Sequence, residues 1–176
     1  MNREDYHEKV YYEPLYFNSK VFQEPPEGLD ETWTHGILWC GAKVGDRLAV
    51  ARAYKLAVDT MIDAALESNE AHEFDYPILF LCRHTLELYL KILGKVDERN
   101  HDLESCLRKV ENEYNQKIKG IVRVWIEEFA KIDKKGSTFR YDDEVSRYVE
   151  LWVDLHQLKA VMGGLCRLFE ATILKL

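Results

Sequence analysis

Residues 77–93, PILFLCRHTLELYLKIL, constrain this chain more than any other stretch. At about 100° per residue, with Arg83 taken as zero, Glu87 falls at about 40°, Lys91 at about 80° and His84 at about 100°. Leu81, Leu86, Leu88, Tyr89, Leu90, Ile92 and Leu93 fill the arc from about 140° to about 340°. A surface helix needs an apolar stripe of only roughly 100°. The stretch therefore predicts a central helix, with apolar neighbours on most sides. Its polar strip has two readings. On a solvent-facing strip, Arg83, Glu87 and Lys91 form an i, i+4, i+8 ladder of alternating charge, worth about 0.2–0.5 kcal/mol per pair. On the wall of a groove, Arg83 and Lys91 bind phosphate and His84 moves a proton near neutral pH. The residues alone leave both open.

The flanking sequence continues the helical pattern. In RLAVARAYKLAVDTMIDAALES, residues Ala51, Tyr54, Val58, Met61, Ile62 and Ala65 share one stripe. Gly36, Gly41 and Gly45 blur its start, which the pattern places from about Thr32. Gly94 stops the central helix. Another opens near NHDLESCLRKV, where Asn100 or Asp102 can cap it and the acids suit the helix dipole. IKGIVRVWIEEFAKI reads as a further helix and DKKGSTFRYDDE as a loop. The last helix is expected from about Val145 nearly to Leu176, with Tyr148, Leu151, Trp152, Leu155, Leu158, Met162, Leu165, Phe169 and Ile173 along its seam. Gly163-Gly164 in it would permit close approach of another helix.

No run alternates apolar and polar residues long enough for a sheet. The expected fold is all-α: an up-and-down bundle of about four to five helices over residues 32–176. Residues 1–31 read as an extended N-terminal arm. Its Tyr6, Tyr11, Tyr12, Tyr16, Phe17 and Phe22 are expected to pack on the body or a partner chain, and Pro14, Pro25 and Pro26 block helix there.

At 176 residues the chain is expected to be one domain, and 47% hydrophobic with 31% charged residues argues against disorder. A net charge of −7 disfavours a protein that coats nucleic acid or membranes, while leaving room for a local basic patch. No apolar run reaches the roughly 18 residues of a membrane span, and the first residues carry no signal-like run, so a cytoplasmic protein without membrane contact is expected. Cys40, Cys82, Cys106 and Cys166 are too far apart for a metal knuckle or redox motif, which predicts buried free thiols in a reducing compartment. The six histidines lack ligand spacing, and GILWCGAK fails as a phosphate loop by register and by its missing hydroxyl. No metal or cofactor is expected.

Two other stretches carry candidate chemistry. His101-Asp102 is either a base with its orienting acid or a capped helix start. In KKGSTFRYDD, Lys134, Lys135, Arg140, Phe139 and Tyr141 suit a single-stranded base and its phosphate. Alternatively Phe139 and Tyr141 pin a solvated loop to the core, with Arg140 answering a buried carboxylate such as Glu87.

Taken in order, Arg83, His84, Glu87, Leu88, Leu90 and Lys91, then His101-Asp102-Leu103, then Phe139-Arg140-Tyr141 after Glu127, Glu128 and Phe129, resemble the HEPN (higher eukaryotes and prokaryotes nucleotide-binding) family of small prokaryotic helical proteins. The likeness spans roughly residues 76–143. It implies a bundle that usually dimerises. It also implies metal-independent ribonuclease activity at a site shared between two copies, in toxin–antitoxin or phage-defence systems, some paired with a nucleotidyltransferase-like partner or cognate antitoxin. The family's usual signature separates an Arg from the following His by several residues, whereas Arg83 and His84 are adjacent. The expected function is therefore an HEPN-like protein that binds RNA or a nucleotide, with Arg83, His84 and His101 as catalytic candidates and Glu87, Lys91, Arg140 and Tyr141 as substrate-binding ones. The alternative is a non-catalytic interaction or regulatory subunit.

Overall fold

The structure is a computed structural model that describes residues 46–96, 100–133, 136–141 and 151–175. The N-terminal arm, the glycine-punctuated stretch before residue 46, Cys40, Lys134, Lys135 and Tyr148 lie outside those residues. Among the described residues every regular element is helical. They are α1 (Arg47–Glu67), a short 3-10 turn (Ala71–Phe74), α2 (Asp75–Leu93), α3 (Leu103–Glu113), α4 (Ile121–Ile132), the single turn α5 (Thr138–Tyr141) and α6 (Leu155–Ile173). None of them is long and apolar enough to cross a membrane.

The wide apolar arc of α2 puts it in contact with α1, α3, α5 and α6. It buries Ile78, Cys82, Leu86, Tyr89, Leu90 and Leu93. Asp46 starts α1 by accepting the Ala49 N–H at 3.0 Å, and that helix turns Ala51, Val58, Ile62 and Ala65 inward. Gly94 closes α2 at a tight approach. A Cβ there would sit 3.1 Å from the Val110 nitrogen and 3.2 Å from the Leu90 carbonyl, so α3 passes close over the end of α2. Asp102 caps α3 by accepting the Glu104 N–H at 3.0 Å, and Asn100 in turn accepts the Asp102 N–H at 2.9 Å. Cys82, Cys106 and Cys166 are buried free thiols, as their helical positions predict, and burial pushes them up to about 12, about 11 and about 12.

Three expectations are corrected. The segment read as a loop after Ile132 contains the α5 turn, because the Thr138 N–H finds the buried Asp133 Oδ1 at 3.1 Å and Phe139 is buried. The last helix begins at Leu155, where the Asp154 carboxylate accepts the Gln157 N–H at 3.0 Å; residues 151–154 are not helical. Leu151 and Trp152 consequently leave the seam, and Trp152 is 92% exposed, while Leu155, Leu158, Met162, Leu165 and Phe169 are buried as the spacing predicts. Finally, among the described residues no helix crosses closely at Gly163-Gly164. A Cβ on Gly163 would meet only the Arg167 side chain, and one on Gly164 would meet nothing within 4 Å. Gly164→Ala is therefore expected to stabilise the fold by about 0.5–1 kcal/mol through backbone entropy, read as a higher denaturant midpoint with an unchanged slope.

Candidate functional site

The polar strip of α2 faces protein. Arg83 is only 3% exposed and Glu87 only 2%. The charge ladder is present: Glu87 Oε2 accepts from Arg83 Nη1 at 2.9 Å, and Oε1 accepts from Lys91 Nζ at 2.8 Å. It lies under the two connections that follow α2 and α4. Arg83 Nε donates to the Asp133 carbonyl at 2.9 Å and lies 3.2 Å from Asp133 Oδ2, while Nη2 donates to the His101 carbonyl. Gly136, at φ +75°, lies against the same guanidinium, and a Cβ there would come within 3.1 Å of Nη1.

The residue types explain this arrangement. A guanidinium presents donors in a rigid planar fork, so one Arg can reach acceptors from three segments at once. Burying those charges is costly unless each is answered. Here Arg83 and Lys91 meet Glu87 and Asp133, and the formal charges balance. Burial acts to raise the Glu87 carboxyl pKa, but Lys91, Arg83 and His101 together outweigh it and hold the group below its ordinary value.

His101 is gripped at both ends. Its carbonyl takes the Arg83 donor, and its ring Nδ1 lies 2.9 Å from Glu87 Oε1. The side chain is nevertheless 53% exposed. With Glu87 ionised, Nδ1 is the nitrogen that carries the hydrogen toward the carboxylate, which leaves Nε2 to accept and return a proton. The orienting acid of His101 is thus Glu87, fourteen residues earlier in the chain, while its neighbour Asp102 is spent on capping α3.

His84 points to a different neighbourhood. Its ring packs edge-on against Tyr54 at 4.5 Å and stacks on Phe80 at 5.8 Å, in the contact between α1 and α2. Burial lowers its pKa, and Arg83, His101 and Lys91 add to that against Glu87. Arg140 and Tyr141 belong to α5, and their side chains lie outside the described residues. Sequence reasoning missed Asp133 and Gly136. Asp133 stands fifty residues from Arg83, and no spacing rule connects them. A glycine just past the end of a helical run was the available signal for the second. Among the described residues no group of three metal-ligating side chains comes together.

These shifts fix the sign of the acid response. A depressed imidazole and a depressed carboxyl both bind protons more tightly in the unfolded chain. The His84 contribution is present above about 6.5 and is lost as pH falls below it; the Glu87 contribution is lost as pH falls below about 4.5. Stability is expected to decline in two stages on acidification, measured as urea midpoints between roughly pH 7 and pH 3.

Comparison with family models, with curated proteins and with solved structures returned no match for this chain.

Proposed function

We propose that this chain is an HEPN-like helical protein that binds RNA or a nucleotide and uses His101 to move a proton. One observation carries the reading: a half-exposed imidazole whose Nδ1 meets a buried carboxylate that Arg83 and Lys91 already hold. In RNA cleavage, His101 Nε2 takes the proton of a 2′-hydroxyl as that oxygen attacks the adjacent phosphorus. The bond to the 5′-oxygen breaks, and the departing oxygen takes a proton from water. Arg83 serves by positioning Glu87 and the His101 backbone, because its Nε, Nη1 and Nη2 are each engaged with protein acceptors. Phosphate binding is left to Arg140, with Tyr141 against a base, on the strength of the sequence resemblance. The same resemblance suggests a homodimer in the cytoplasm, in a toxin–antitoxin or phage-defence setting, with an antitoxin or nucleotidyltransferase-like partner.

The test is incubation of the purified chain with total RNA and with tRNA in EDTA. Fragments ending in a 2′,3′-cyclic phosphate are the expected result. If the folded protein leaves both RNAs intact, the second reading takes over: a non-catalytic interaction or regulatory subunit. The engagement of all three Arg83 nitrogens favours that reading, since a guanidinium so placed is not free for phosphate.

A further inference from the structure

A groove of about 740 Å³ lies between the end of α3, residues 114–120, the start of α4 and the last turns of α6. That volume falls in the range of about 300–1,000 Å³ typical of small-molecule sites. Its apolar wall includes Leu93, Val110, Ile118, Val122 and Phe169, with half-exposed Leu168 at the edge. Among the described residues the charged ones lining it are Lys117 and Lys119, with no acid among them, in a chain of net charge −7. This rim is built into the fold. Buried Glu111 accepts from Lys117 Nζ at 2.8 Å, from the Ile118 N–H at 3.0 Å and from Arg123 Nη1 at 2.7 Å, which fixes the backbone of the lysine segment. Lys119 has no ion-pair partner among the described residues. Tyr114 also lines the groove, and its buried hydroxyl has no hydrogen-bond partner among the described residues.

We infer that this groove binds a small amphiphilic carboxylate, its apolar body along Val110, Val122 and Phe169 and its carboxylate at Lys119. Apolar walls alone would take any greasy ligand; with Lys117 already answered by buried Glu111, Lys119 is the rim cation left to select a negative headgroup. The site is independent of His101 and of the RNA reading.

The test titrates the full chain with dodecanoate below its micellar range, followed by backbone amide NMR, beside dodecyltrimethylammonium of equal tail length. Saturable shifts confined to residues 114–122 and 168–172 are expected with the carboxylate and none with the ammonium. Lys119→Glu is expected to weaken binding about tenfold, a change of about 1.4 kcal/mol, with thermal unfolding unaltered because Lys119 is exposed. Leu168→Asp, a substitution at the half-exposed edge, is expected to weaken it as well. Equal binding of the ammonium, unaltered affinity in Lys119→Glu, or no localised shifts would overturn the assignment.

Discussion

Arg83→Ala is expected to lower the unfolding free energy by about 3–5 kcal/mol, the range seen when one partner of a buried ion pair is removed. The cause is what stays behind. Glu87 keeps Lys91 but loses its Oε2 donor, Asp133 loses the cation 3.2 Å from its Oδ2, and the carbonyls of Asp133 and His101 each lose a donor. An orphaned buried acceptor costs about 1–3 kcal/mol by itself, and these losses do not add independently because they share one guanidinium. For a chain of this size the change corresponds to a fall in melting temperature of roughly 10 °C. Arg83→Lys should recover little, since one ammonium on a flexible stem cannot span acceptors from three segments. A second signature separates this account from a simple packing defect. Without Arg83 the buried Glu87 carboxyl retains a proton to higher pH, so the gap between variant and parent should narrow as pH is lowered. A loss below about 1 kcal/mol, with no such narrowing, would mean that the cluster behaves as an ordinary surface ladder.

What the sequence disclosed about this region was periodic information. The arc of leucines in residues 77–93 located the central helix within two residues, and the stripe in α1 and the Asp102 cap were equally legible, because each is set by contacts within a turn or two. The same rule failed at the last helix. Leu151 and Trp152 continue the apolar spacing of Leu155 and Leu158, yet the Asp154 carboxylate closes the helix end between them, and a local hydrogen bond outranks the pattern. The spacing of Arg83, Glu87 and Lys91 disclosed the ladder but not its environment. Whether such a ladder meets water depends on where the 100–102 and 133–136 segments return, and Asp133, Gly136 and the His101 carbonyl enter from positions that no window on α2 contains. For the same reason the Glu87–His101 contact was invisible, while the adjacent Asp102 looked the better partner.

His101→Ala is expected to separate chemistry from scaffolding. If His101 is the proton carrier, its loss should reduce RNA cleavage by about 10²–10⁴-fold, the usual worth of a positioned acid–base group. Stability should change by less than about 1 kcal/mol, because the ring is half exposed and its backbone carbonyl, which holds the Arg83 contact, survives the substitution. The ring itself supplies a measurement independent of any substrate. An ionised Glu87 can only accept, and its carboxyl is held below its ordinary value, so at neutral pH the uncharged ring of His101 should be the Nδ1–H tautomer, read from long-range proton–nitrogen couplings. Glu87→Gln, whose amide can donate as well as accept, should erode that preference and lower cleavage together, with Lys91 left without its carboxylate. The two readouts constrain each other. A fixed tautomer with no cleavage by the parent protein places His101 in the frame of a binding module. A large stability loss in His101→Ala, about 2 kcal/mol or more, with cleavage retained, makes the ring a strut between α2 and α3 and moves any reacting group elsewhere in the molecule.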